Sequence, residues 1–102
     1  MSPTLSLERK PTSTLRREAG LWLKKMREER GLSQRQMANQ LQLEYYTFIS
    51  QLENGRGRIP QYRYRDWAEV LGVDASTFAR ELLAFYDPEA YELLFSDGVF
   101  QK

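Results

Sequence analysis

The chain has 102 residues, of which 41% are hydrophobic and 28% are charged, and its formal net charge is +1. These values are typical of one globular domain with a single modest core. The chain has no Cys and no His, which excludes disulfides and thiolate metal sites and removes the commonest general base and most zinc ligand sets. We therefore expect no enzyme activity, no cofactor and no bound metal.

Charge is distributed unevenly along the chain. Residues 1–65 contain 13 Lys or Arg and 6 Asp or Glu, a net charge of +7. Residues 66–102 contain 2 and 8 of these, a net charge of −6. The asymmetry predicts a basic working face and an acidic remainder, although an uneven scatter of surface charge would give the same totals.

The hydropathy pattern predicts a cytoplasmic protein. No apolar run approaches the roughly 18 residues that a membrane span needs. The first residues, MSPTLSLERKPTS, lack the apolar segment of a signal peptide. We interpret residues 1–13 as a flexible tail, and residues 97–102 as a second tail.

Helical spacing of apolar residues predicts an all-α protein with five to six helices. The first helix should begin near Thr14 and end at Gly31. Ser33 suits the N-cap of a short second helix, with Gln36 three residues later as a capping box requires. The inward positions of these two helices are Leu15, Ala19, Trp22, Leu23, Met26, Met37, Ala38 and Leu41.

The later helices are bounded by glycine and proline. A third helix is predicted over about 45–54, ended by Gly55, and Pro60 suits the first turn of a fourth. A fifth is predicted over about 75–86, and Asp87-Pro88 restarts the chain as a last short helix. The inward positions of the fourth helix are Tyr64, Trp67, Ala68 and Leu71.

The segment RGLSQRQMANQL…FISQLENGRGRIP resembles the lambda-repressor-like, Cro-type (XRE) family of helix-turn-helix DNA-binding domains. The resemblance covers about Leu21 to Val73. It implies a lambda-repressor-like domain over residues 14–73, and residues 74–96 then form a C-terminal helical extension. The sequence departs from the family at Gln42, where a turn glycine is usual, and by one extra residue between Leu43 and Ile49.

In this family the second helix braces on the DNA backbone and the third lies in the major groove. The resemblance implies that Gln34 hydrogen-bonds a phosphate. It also implies that Arg27 and Glu53 form a buried or half-buried ion pair between the first and third helices. The loop after the third helix matches the family's phosphate-contacting segment through Asn54, Arg56 and Arg58.

Helical spacing separates the two faces of the third helix. Ile49 and Leu52 point inward, and Tyr45 shares the face of Ile49, so its ring either packs in the core or contacts the DNA backbone. The opposite face carries side chains that suit base edges in the major groove, namely Tyr46, Thr47, Ser50 and Gln51. Tyr62 and Arg63 flank the fourth helix, where backbone contact and simple solvation are equally compatible with the sequence.

The acidic C-terminal part contains more apolar and aromatic residues than one small helical domain need bury. We predict a symmetric dimer contact, as suits binding to two-fold related half-sites. Its residues are Phe78, Leu82, Phe85, Tyr86, Tyr91, Leu94 and Phe95. Alternatively, these helices only cap the core of the monomer.

These observations predict a sequence-specific, double-stranded DNA-binding transcriptional regulator of bacterial or phage type, acting as a homodimer on the nucleoid. The alternative is an antitoxin-like module whose C-terminal helices bind a partner protein and which represses its own operon. Nothing in the sequence indicates a small-molecule ligand or a membrane partner.

Overall fold

The computed structural model describes residues 10–95, which form six α-helices and one 3-10 turn without any strand in that range. The all-α class is therefore confirmed. The predicted tails lie largely outside the described residues. Within them, no helix has the length and apolarity to cross a membrane. The elements are α1 Thr12–Glu29, α2 Gln34–Gln40, α3 Thr47–Glu53, the 3-10 turn Gln61–Arg63, α4 Tyr64–Leu71, α5 Ala75–Tyr86 and α6 Pro88–Phe95.

Side chains satisfy the first amides of two helices. At α2, Gln36 N–H donates to Ser33 Oγ at 3.0 Å, and Ser33 N–H donates to Gln36 Oε1 at 2.8 Å, so the predicted capping box is confirmed. At α5, Thr77 N–H donates to the Asp74 carboxylate at 2.9 Å. These caps fix where α2 and α5 begin, because the first amides of a helix have no partner within it.

The turn between α2 and α3 contains both departures from the family pattern. Gln42 has φ of 60°, the only positive φ at a non-glycine residue in the described range, so the position keeps the left-handed backbone without the usual glycine. The extra residue delays α3, which begins at Thr47 and not at 45. Tyr45 therefore precedes the helix and is 66% exposed. The prediction that Tyr45 shares the core face of Ile49 is wrong.

One hydrophobic core joins α1 to α5. Its most deeply buried side chains are Trp67, Phe78, Ile49, Ile59 and Leu82, each less than 2% exposed. Trp22 of α1 stacks on Phe78 and lies against Phe85 of α5, both with ring centroids 5.5 Å apart. The C-terminal helix α5 is thus part of the domain core.

This packing corrects part of the predicted dimer surface. Phe78, Leu82 and Tyr86 are 1%, 0% and 7% exposed in the monomer, so they have no free surface for a second copy. The sequence pattern shows that these residues are apolar. It does not show that other parts of the same chain, including α1, already bury them. The exposed apolar side chains of the extension lie instead on α6, at Leu93, Leu94 and Phe95.

A glycine allows α1 to approach the end of α3. A Cβ atom at Gly20 would lie 2.5 Å from the carbonyl oxygens of Leu52 and Glu53. No side chain fits there, because Cβ atoms do not approach backbone oxygens so closely. Gly20 therefore sets the distance at which α1 supports α3.

Candidate nucleic-acid interface

The outward face of α3 carries polar side chains that have no partner in the part of the chain that the structure describes. Ile49 and Leu52 are buried beneath the helix, while Thr47 and Gln51 are exposed and Ser50 is half-buried. None of the three polar side chains makes a hydrogen bond to another part of residues 10–95. Their donors and acceptors are therefore available to a ligand that lies against this face.

The opposite side of α3 is fixed to α1 by a buried ion pair. Arg27 donates to Glu53 through Nε at 2.6 Å and through Nη2 at 3.0 Å, and its Nη1 donates to the carbonyl of Leu32 at 2.7 Å. The hydrogen bond with Glu53 raises the pKa of Arg27 above its ordinary value. This bidentate geometry holds the end of α3 rigidly, because it uses both carboxylate oxygens.

Gln34, the predicted phosphate contact, lies at the first position of α2 beside this ion pair. Its Nε2 donates to Glu53 Oε1 at 3.0 Å. An amide nitrogen carries two hydrogens, so one N–H of Gln34 is used inside the protein and one is left. The helix N-terminus beside it also favours an anion.

Arg35 and Tyr46 form a contact that sequence reasoning missed. The guanidinium carbon of Arg35 lies 4.3 Å from the centre of the Tyr46 ring, well within the range of a cation–π interaction. Arg35 is exposed on α2, and Tyr46 is half-buried at the start of α3. The pair bridges the turn, so no fixed spacing within one helix reveals it.

Asn54 and Arg56, in the loop after α3, have different roles. Asn54 Nδ2 donates to the carbonyl of Ser50 at 2.9 Å and so helps to end α3. Gly55, with φ of 83°, turns the chain there. Arg56 is exposed and pairs with no carboxylate in the described range. Arg56 is therefore the loop cation with free donors.

Arg58, also predicted to contact phosphate, is part-buried and bonded to a carboxylate of the protein itself. Its Nη2 and Nη1 donate to the two oxygens of Asp87 at 2.8 and 3.2 Å. The guanidinium also lies 4.7 Å from the centre of the Tyr86 ring. The bond with Asp87 raises the pKa of Arg58 far above its ordinary value. The sequence pattern does not show this, because α5 must fold back before Asp87 reaches the loop.

Arg63 is likewise engaged in the fold. Its Nε donates to Asp66 at 2.8 Å and its Nη2 to the carbonyl of Leu41 at 2.7 Å. It thereby joins the end of α2 to the start of α4. Its neighbour Tyr62 is 84% exposed.

Helices α2 and α3, joined by a tight turn and braced by α1, form a helix-turn-helix unit. Comparison with family models agrees, since the model of the helix-turn-helix domain matches residues 20–88. This match covers more than half of the chain, and the chain belongs to the helix-turn-helix domain family. A search of curated proteins gave no match.

The family assignment confirms the resemblance that the motifs GLSQ and ENG predicted. The match also extends beyond Val73 and includes α5, in agreement with the burial of Phe78 and Leu82 in the common core. Membership of this family indicates a DNA-binding regulator.

Proposed function

We propose that this protein is a sequence-specific transcriptional regulator that binds double-stranded DNA as a homodimer, with α3 in the major groove. The observation that carries the proposal is the outward face of α3. It presents polar side chains that have no partner within residues 10–95, and Arg56, which pairs with no carboxylate in the same range, follows in the adjacent loop. Such side chains suit base edges, and the adjacent cation suits a phosphate.

The proposed contacts divide by chemistry. Base edges are read by Thr47, Ser50 and Gln51. Tyr46 is left out of the base contacts, because its ring lies under the guanidinium of Arg35 and packs against the core. The backbone is contacted by Arg56, by the remaining amide hydrogens of Gln34 and Asn54, and by the exposed hydroxyl of Tyr45. Arg58 and Arg63 are left out, because their guanidinium groups are bonded to Asp87, Asp66 and Leu41.

The proposed dimer contact lies on α6. Leu93, Leu94 and Phe95 are 61%, 52% and 39% exposed, and Tyr91 lies beside Phe95 with ring centroids 5.3 Å apart. A run of exposed apolar side chains at one end of a small domain is typical of a protein contact. A two-fold contact there would present two α3 helices to two half-sites. The protein would then act on the nucleoid, in the cytoplasm.

Selection of bound duplexes from a random DNA pool tests this proposal. We expect an enriched sequence made of two inverted half-sites with a fixed spacing. Gln51→Ala should weaken the enriched site by about 10-fold more than random DNA, since a good bidentate base contact discriminates by about 1–3 kcal/mol. The control is Gln40→Ala, at an exposed glutamine of α2 that lines a groove with Asp66 and Glu69 of α4. Absence of any enriched sequence would refute sequence-specific binding.

A further inference from the structure

Arg35 differs from the other arginines that stack on aromatic rings in the helix-turn-helix part of the chain. Arg58 is bonded to Asp87, Arg63 to Asp66 and Arg16 to the carbonyl of Gly57. Arg35 lies on the ring of Tyr46, and no carboxylate or carbonyl accepts from it within residues 10–95. All its N–H donors are therefore free of partners within the described residues, although its contact with the ring restricts its position.

The ring of Tyr46 is a firm support for this guanidinium. Tyr46 is half-buried and packs against the core, whereas Arg35 is exposed. A guanidinium that lies on an aromatic face still has its N–H edges free, because the donors lie in its own plane. The stack thus orients a planar fork of donors before any ligand arrives, which lowers the entropy cost of binding.

The position of Arg35 and Tyr46 indicates which acceptors on the DNA the guanidinium of Arg35 can contact. Tyr46 is the N-cap of α3, and the N-terminal residues of the second helix of this motif contact base edges. In the major groove, guanine presents two adjacent acceptors, O6 and N7, which match two parallel N–H groups of arginine. A phosphate also accepts from arginine, but it lies on the backbone, beside the groove.

We propose that Arg35, held on the ring of Tyr46, reads one guanine in each half-site through O6 and N7. This inference rests on the proposed function, since it requires α3 to lie in the major groove. It assigns base recognition to the beginning of α2 as well as to α3.

Binding-site profiles of the wild type and two Arg35 variants test this role. Arg35→Lys keeps the positive charge but removes the fork. At one position of each half-site the preference for guanine should fall by about 10-fold, since a bidentate contact is worth about 1–3 kcal/mol. The salt dependence should stay the same. Arg65→Lys, at an exposed arginine of α4, is the matched control and should leave every position unchanged.

Two substitutions of Tyr46 and a modified duplex test separately whether its ring supports the guanidinium of Arg35. Tyr46→Phe keeps the ring and should keep the guanine preference, whereas Tyr46→Leu removes the ring and should reduce it. A duplex with 7-deazaguanine at that position lacks the N7 acceptor. The wild type should lose affinity for this duplex, while Arg35→Lys, which has already lost the contact, should hardly respond.

Three results would overturn the inference. One is an Arg35→Lys profile equal to that of the wild type. Another is an Arg35→Ala variant that binds all sequences equally more weakly, with a salt slope reduced by about one, as expected for a phosphate contact. The third is an equal response of wild type and Arg35→Lys to 7-deazaguanine. Failure of the proposed function would be seen differently, as a wild type that enriches no sequence.

Discussion

The helix-turn-helix part of the molecule and its C-terminal extension expose opposite chemistry. Around α3, the carboxylate of Glu53 is buried in an ion pair, and the outward side chains are neutral polar groups beside Arg56. The segment that forms α5 and α6 contains Glu81, Asp87, Glu89 and Glu92, followed by exposed Leu93 and Leu94. One surface therefore suits a polyanion, and the other repels it while offering apolar area to a protein.

The pair Arg27–Glu53 lies within the helix-turn-helix part, whereas Arg58–Asp87 joins that part to the extension, and the two pairs differ in burial. The side chains of Arg27 and Glu53 are 9% and 5% exposed, whereas those of Arg58 and Asp87 are 30% and 34% exposed. A buried pair strands a charge when one partner is lost, but a half-exposed pair is screened by water. The first pair therefore supports the fold, and the second mainly positions the loop after α3.

Loss of the buried pair should have the largest effect. Arg27→Met leaves Glu53 buried without its cation, so the free energy of unfolding should fall by about 3–5 kcal/mol. Urea unfolding followed by circular dichroism measures this. The double change Arg27→Met with Glu53→Leu should regain much of the loss. A single variant within about 1 kcal/mol of wild type would contradict the difference between the pairs.

A charge on α6 should have the next largest effect. A symmetric contact contains each substitution twice, so Leu94→Glu should raise the dimer dissociation constant at least about 100-fold. Sedimentation equilibrium measures it, with Leu21→Glu, a 59% exposed leucine of α1, as the matched control.

A wild type that sediments as a monomer would exclude the dimer contact on α6. A wild type that aggregates alone and becomes dispersed with a protein partner would favour the antitoxin-like alternative.

Alanine substitutions of Arg56 and Arg58 should have different effects, one on DNA affinity and the other on the stability of the protein. Arg56→Ala should weaken binding to all sequences and reduce the slope of log affinity against log salt by about one. Arg58→Ala should leave that slope unchanged and lower stability by about 1 kcal/mol or less, as expected for a half-exposed pair. Fluorescence anisotropy titrations at several salt concentrations measure both slopes. Equal slopes for both variants would mean that the two arginines do not differ.

The smallest effect concerns the cap of α5. Hydrogen bonds from the Thr77 amide and hydroxyl lower the pKa of Asp74. Its contribution to stability is therefore present above the pKa of the unfolded chain, about 3.9, and is lost as pH falls through the lower folded value. Asp74→Asn retains a capping oxygen but does not titrate. Below about pH 4, wild type should lose stability relative to this variant.

Thermal unfolding from pH 7 to pH 2 measures the difference. Asp74→Ser, which also caps without titrating, should behave like Asp74→Asn. A constant difference between wild type and both variants at every pH would contradict the assignment.

Local rules predicted much of the fold. The capping box at Ser33, the end of α3 before Gly55 and the range of α5 depend on contacts within a few residues, which spacing reveals. The family pattern located the turn at Gln42, but it did not predict that this residue keeps a left-handed backbone without glycine. The predicted start of α3 was two residues too early, because Tyr45 belongs to the turn and Tyr46 is the N-cap.

Contacts between distant elements were not predictable from spacing. The spacing of apolar residues does not show that Phe78 and Leu82 are buried in the monomer, or that Trp22 of α1 stacks on Phe78. The close approach at Gly20 depends on where α3 ends. The roles of Arg35, Arg58 and Arg63 depend on partners across a turn or another helix, and a motif match assigns a residue its role without showing those partners.

The two tryptophans lie in different parts of this architecture and give the protein two natural optical reporters. Trp67 is buried in the helix-turn-helix core beside Phe48, whereas half-buried Trp22 stacks on Phe78 of α5. With Trp67 replaced by Phe, emission arises from Trp22 alone and follows the docking of α5 onto α1. Single-tryptophan emission thus distinguishes detachment of the C-terminal helices from melting of the whole domain.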